Sequence, residues 1–240
     1  MGQAVPAWAP DRQNTGFSKS PILLESTPIE GDLQMKTFAT PSSTLVAALV
    51  IASLRAPALA GPAGWSIDRA HTEINFSVNH FFTPVTGSFE EFEVDLQYDA
   101  EHPERSSVEV RIDVASIDTG NAKRDKHLQT PDWFDAAGHP KITFKSTGVR
   151  RTGESELVAT GRFTMRGNSK EIELPIKILG TQQIPQKMQA MLGGAKEVAS
   201  FDASTLIDRG DYQIGTGNWA GTMVVGGDVK IQILLEAHRR

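Results

Sequence analysis

From Ile74 to Leu235 apolar and polar residues alternate with a period of two. Ile74, Phe76 and Val78 interleave with Glu73, Asn75, Ser77 and Asn79, and Phe92, Val94, Leu96 and Tyr98 with Glu91, Glu93, Asp95 and Gln97. The rhythm returns in Val108/Val110/Ile112/Val114, Ile142/Phe144, Leu157/Ala159/Gly161/Phe163/Met165 and Ile172/Leu174/Ile176/Ile178. It closes with Phe201/Ala203/Thr205/Ile207 and Val229/Ile231/Ile233/Leu235. Successive side chains of a strand point to opposite faces, so each segment predicts a strand with one apolar and one solvated face. One-sided strands of this kind belong to antiparallel sheets. A short opening strand at Trp65–Ile67 precedes a change of phase over 68–72, where a turn is expected. Turn sequences such as Arg151-Thr152-Gly153-Glu154 and Arg166-Gly167-Asn168-Ser169 join the strands, which fits a sandwich or an up-and-down barrel. Closure removes exposed sheet edges and favours the barrel. The expected class is all-β: an antiparallel barrel of about eight strands with one or two short helical loop segments.

Two connections are long. Residues 115–140 exceed the ~12–15 residues usual for a structureless loop. Within them Arg124–Thr130 is predicted to form a short helix, with Thr119 or Asn121 near its start and Pro131 as its stop. Residues 181–196, with Met188, Met191 and Gly193-Gly194, are less patterned and are expected to form a mobile lid. Gly215–Gly227 is glycine-rich and contains Trp219. Long loops on a rigid barrel are where a binding mouth is placed.

The front of the chain reads differently. Residues 1–34 hold no sustained period and are broken by Pro6, Pro10, Pro21 and Pro28. Met35-Lys36 then opens a basic start, an apolar run from Leu45 to Leu54, and an Ala58-Leu59-Ala60 end. This is the form of a secretory signal peptide cleaved after Ala60. The apolar run is too short for a bilayer, which needs roughly 20 residues. The expected organisation is an extension ahead of the true start (1–34), a signal peptide (35–60) and a mature barrel domain (61–240). The protein would then be periplasmic, with no stable membrane anchor after cleavage. A hydrophobic surface helix in a cytosolic protein is the competing reading of the same run.

Composition narrows the partners. The 240 residues are 39% apolar and 22% charged with a net charge of −5, an ordinary globular balance that argues against a nucleic-acid surface. The first sixty residues carry as many acidic as basic groups, so the negative charge belongs to residues 61–240. The chain has no cysteine, which excludes disulfides, thiolate zinc sites and Cys-linked lipid anchors. A small barrel is either filled by its own side chains or wide enough for one ligand. The inward set mixes large residues (Phe76, Phe92, Phe144, Phe163, Phe201) with small ones (Ala159, Gly161, Ala203), so pattern alone permits a dry core or a cavity.

Several ordered motifs carry a family resemblance. Trp65-Ser-Ile-Asp68-Arg-Ala-His71-Thr-Glu-Ile-Asn-Phe-Ser-Val78-Asn-His80 and Val85-Thr-Gly87-Ser-Phe89 resemble the opening of the YceI-like family. Ala115-Ser-Ile-Asp118-Thr-Gly-Asn121, Arg124-Asp-Lys-His127-Leu128 and Asp132-Trp133-Phe-Asp135 resemble its central block. Pro140-Lys-Ile142-Thr-Phe144-Lys-Ser146 and Gly161-Arg-Phe-Thr-Met-Arg166-Gly167 continue it in order. Trp133 stands where Phe is usual, Gly210 replaces a typically basic residue, and 181–196 departs from the common pattern. The resemblance implies an exported, lipocalin-like barrel that holds a polyisoprenoid or other long-chain amphiphile in its lumen. The aliphatic tail would contact Phe76, Val78, Phe92, Leu96, Ile112, Phe144, Phe163, Ile176 and Phe201, with His71, Arg124 and His127 meeting the head group. No cofactor or metal is expected, and the oligomeric state stays open.

Two alternatives remain at this level. Asp68 and His71, three apart at a turn, together with His127, would suit an enzyme acting on a lipid head group; their bland reading is a capped turn. Lys123, Arg124, Lys126 and His127 would suit a diphosphate, or simply a solvated helix face. His127, Asp132, Asp135 and His139 lack a recognised metal-ligand spacing, and no nucleophile elbow occurs. A structural, partner-binding barrel with a filled core is the other alternative.

Overall fold

The computed structural model describes residues 64–240; the extension and signal peptide expected over 1–60 lie outside the described residues. The alternating segments become strands β1 (Gly64–Ile67), β2 (Glu73–His80), β3 (Thr83–Phe89), β4 (Phe92–Gln97), β5 (Ser107–Asp113), β6 (Ile117–Asp118), β7 (Lys141–Gly153), β8 (Glu156–Met165), β9 (Asn168–Gln183), β10 (Glu197–Asp208) and β11 (Val225–Arg239). Every pairing is antiparallel. The order β1-β4-β5-β7-β8-β9-β10-β11 closes on itself through β1–β11, giving an eight-stranded antiparallel barrel. β2, β3 and β6 prolong the wall beyond β1, β4 and β5, with β2 also paired to β11. The first three barrel positions are therefore each bent once. The bends are stitched together by the backbone bonds Asp68 N to Glu236 O (2.9 Å), Glu90 N to Ser116 O (3.1 Å) and Asp113 N to Glu91 O (2.8 Å).

Alternation produces the core directly. Ile74, Val110, Ile142, Phe144, Leu157, Phe163, Leu174, Phe201 and Leu235 are buried on the inner face. At one end Trp65 donates its indole N–H to Tyr98 O at 3.0 Å, and the two rings lie 5.8 Å apart. The β8–β9 hairpin turns on Arg166 and Gly167, both at positive φ (48° and 75°), as a two-residue primed turn requires.

Three expectations shift. β3 escapes the alternation because Pro84, Thr86, Gly87 and Ser88 leave only Val85 and Phe89 as large apolar residues. Gly87 is required there, since a Cβ would stand 2.5 Å from the Phe76 ring and 2.9 Å from Asp118 O. The helix of the long connection, α1, spans Ala122–Leu128 rather than Arg124–Thr130. Asn121 sets its start by accepting from Lys123 N and Arg124 N, and it ends before Pro131. Residues 181–196 hold the end of β9 and the single-turn helix α2 (Gln186–Gln189). They sit beside Glu197 and Arg239, at the end of β11 opposite Val225, and so lie at the far end of the barrel from α1.

Candidate functional site

The barrel is not filled. A cavity of about 370 Å³ lies inside it, of the size that small-molecule sites occupy. Its walls are apolar residues from every long strand, among them Phe76, Val78, Ile112, Phe144 and Phe163. A second chamber of about 70 Å³ lies deeper, bordered by Leu96, Ile176 and Phe201. Ile74, Val110, Leu174 and Ile233 line both, so the two follow one another along the lumen. Of the nine apolar residues assigned to the lumen, only Phe92 borders neither chamber. It starts β4 at the level of the bends, where the Arg69 guanidinium lies 3.9 Å from its ring centroid.

The mouth is built by α1, the 3-10 turn Gly217–Trp219 and the ends of β2 and β11. Arg124 and His127 both border the cavity there. Thr119 steadies Arg124, accepting from Nε at 2.7 Å with its hydroxyl and from Nη2 at 2.8 Å with its carbonyl. Among the described residues no carboxylate is ion-paired with this guanidinium. His127 packs edge-on against Trp133 and Trp219, with centroids 5.9 and 5.3 Å away, and the two indoles are 5.6 Å apart. Trp133 is 6% exposed, and its Nε1 is a buried donor without a hydrogen-bond partner. An unmet buried donor costs about 1–3 kcal/mol.

Beneath the rim lies a residue that sequence reasoning missed. Arg209 is 3% exposed and touches the cavity, yet among the described residues it has no acidic ion-pair partner within 4 Å. Instead its guanidinium donates to six backbone carbonyls: Ile214, Gly215, Trp219, Gly221, Val225 and Gly226. Burial lowers its pKa from the ordinary arginine value. One side chain thereby holds the glycine-rich loop in place. Gly215, at φ +77°, leaves room that a Cβ would take from Arg209 and Trp133. Only a lone Arg after a strand marked this site in the sequence, and no spacing rule identifies a buried guanidinium that caps carbonyls.

His71 is elsewhere. It lies in the 3-10 turn Arg69–His71 between β1 and β2, hydrogen-bonded through Nδ1 to Asp68 Oδ2 at 2.9 Å, and it does not border the cavity. The head-group role assigned to it is therefore corrected by position: the bend of the wall carries it to the Glu236 end of β11, away from Val225 and the mouth. Asp68, His71 and His127 do not converge, as an acid–base site would require. Among the described residues His139 is ion-paired only with Asp135, at 3.9 Å, so the loop's His and Asp residues do not gather around one point. Among the described residues no helix is long and apolar enough to cross a membrane.

The YceI-like domain matches residues 65–237. A UPF0312 protein of Shewanella sp. (strain ANA-3) is 36% identical over 173 residues, covering 71% of this chain and 86% of that protein. A UPF0312 protein of Ectopseudomonas mendocina is 33% identical over 172 residues, covering 70% and 86%. Among solved structures, BcnA of Burkholderia cenocepacia aligns with a TM-score of 0.63 at 26% identity, over 71% of this chain and all but 1% of its own, a coverage of 99%. A polyisoprenoid binding domain from Saccharophagus degradans aligns with a TM-score of 0.54 at 15% identity, over 75% and 99%, a likeness of fold alone.

Proposed function

The chain belongs to the YceI-like family, and we propose that it binds a polyisoprenoid or other long-chain amphiphilic lipid inside the barrel, tail in the lumen and head group at the mouth. The observation that carries this reading is the apolar cavity of about 370 Å³ whose rim bears Arg124 and His127. A hydrocarbon chain entering such a lumen gains about 0.8 kcal/mol per methylene removed from water. Arg124 and His127 offer donors where the chain would end. That polarity fixes direction: a hydrocarbon end gains nothing at the rim, and an oxygen-bearing end loses hydrogen bonds in the depths. The deeper chamber extends the room for the tail. Binding by partition needs neither cofactor nor metal, and a filled structural core does not account for the cavity. We also infer that the protein works after export, in the periplasm, once residues 35–60 are removed; N-terminal sequencing of the mature protein should begin near Gly61.

The test is a chain-length series. Delipidated protein is titrated with isoprenoid alcohols of increasing length while tryptophan fluorescence is followed. Affinity should rise with length until the lumen is full. The variant Val229→Phe/Ile231→Phe, which narrows the main chamber, should lose at least tenfold in affinity for the longest ligand while keeping its circular dichroism spectrum. Equal affinity for all lengths, or a folded narrowed variant that binds unchanged, would overturn the reading.

A further inference from the structure

A second cluster of ligating side chains lies on the outer wall, apart from the cavity. Glu236 and His238 are two residues apart on β11, between and beyond the inward-facing, buried Leu235 and Ala237, so both point outward. Asp68 follows β1, which pairs with β11 at Ser66↔His238 and Ile67↔Ala237. Its backbone N–H donates to Glu236 O at 2.9 Å, and Glu236 N donates to Thr72 Oγ1 at 3.2 Å. The backbone thus holds three potential ligands against one another, and one donor atom from each of Asp68, Glu236 and His238 lies within 4.8 Å of the others. His238 Nε2 and Glu236 Oε1 are 3.2 Å apart. For ligand bonds of about 2.0–2.2 Å, the edge of a tetrahedral zinc site is about 3.3–3.6 Å. A second imidazole, His71, meets the same Asp68 carboxylate at 2.9 Å.

We propose that Asp68, Glu236 and His238, with His71 beside them, bind one divalent transition-metal ion of the zinc type. The donor set is mixed imidazole and carboxylate, which suits zinc; magnesium and calcium prefer all-oxygen sets. Charge favours a cation too. Among the described residues neither Asp68 nor Glu236 is ion-paired with a lysine or arginine, and imidazoles are their only ion-pair partners. The bound ion would tie the end of β1 to β11, the pair that closes the ring. In a chain without cysteine, it would be a non-covalent staple across the closing seam.

The test uses the untagged full-length chain after chelator treatment. Calorimetric titration should show one zinc ion bound per chain, and the thermal midpoint should rise with zinc and not with magnesium. Asp68→Asn and His238→Gln should each weaken zinc binding at least tenfold, whereas His139→Gln should not. Asp68→Asn preserves the turn, because the remaining oxygen still accepts from Ala70 N as Oδ1 does now at 2.9 Å; it decides the matter even if His238→Gln fails to fold. Binding of the isoprenoid series should be unchanged in Asp68→Asn, which separates this site from the lumen. Absence of stoichiometric zinc binding, or variants that bind zinc as tightly as the unaltered protein, would overturn the proposal.

Discussion

Arg209 shows how much one side chain can organise. Its six carbonyl acceptors span residues 214–226, so the loop that forms one side of the mouth has no other comparable anchor among the described side-chain hydrogen bonds. Replacing it by methionine keeps much of the volume and leaves those carbonyls without their donor. Arg209→Met should destabilise the protein by about 3–5 kcal/mol, the scale of an uncompensated buried polar group, measured as a fall in urea midpoint. Gly161 makes a contrasting case of packing without polarity. A Cβ there would lie 2.5 Å from Lys145 O and 2.6 Å from the Phe144 ring. Gly161→Ala should cost about 1–3 kcal/mol through overpacking, and the same denaturation experiment measures it.

At the scale of elements, the connections divide labour between holding the wall and shaping the mouth. The β4–β5 connection is held by Asp99, whose carboxylate accepts from Glu101 N at 3.0 Å and His102 N at 2.8 Å. The His102 backbone bond is the main cause that holds its pKa below the usual aspartate value. A depressed carboxyl pKa contributes stability above the unfolded-state value, near 3.9, and that contribution is lost as pH falls through the folded-state value. Asp99→Ala should therefore lower the urea midpoint at pH 7, and the gap between variant and parent should shrink as pH falls below the unfolded-state value. The α1 connection does the opposite work, presenting Arg124 and His127 to the cavity. Trp133→Phe removes the unpartnered Nε1 donor while keeping an aromatic ring. It should leave stability unchanged or raised, because the lost group is an unmet buried donor, and the urea midpoint measures this.

These elements also show what the sequence could and could not reveal. Strands with large residues on one face, such as Phe92/Val94/Leu96, announced themselves because burial is written as alternation. β3 did not, because a neighbouring Phe76 ring demands a glycine where an apolar residue would have signalled a strand. The placement of Phe76, Phe144 and Phe163 on the cavity wall follows from the same alternation, and Arg124 and His127 follow from the position of their loop. His71 was misplaced because the bend that moves it along β11 depends on pairing with a strand far away in sequence. Arg209 and the Trp133–Trp219 pair depend on loop closure, which has no period to read.

For the molecule as a whole, a closed wall surrounds two chambers in series, and their combined depth should set the preferred chain length. Ala203 borders the deeper chamber. Ala203→Phe should fill it and shift the preferred isoprenoid to a shorter chain without abolishing binding, read from the same fluorescence series. On this reading the lumen holds a long-chain amphiphile. The most direct test is native mass spectrometry of the protein purified from its own host, followed by identification of the extracted lipid. One long-chain lipid should be found per barrel, lost together with the adduct mass in Val229→Phe/Ile231→Phe. A lipid-free protein from its native host that also takes up no isoprenoid in solution would contradict it.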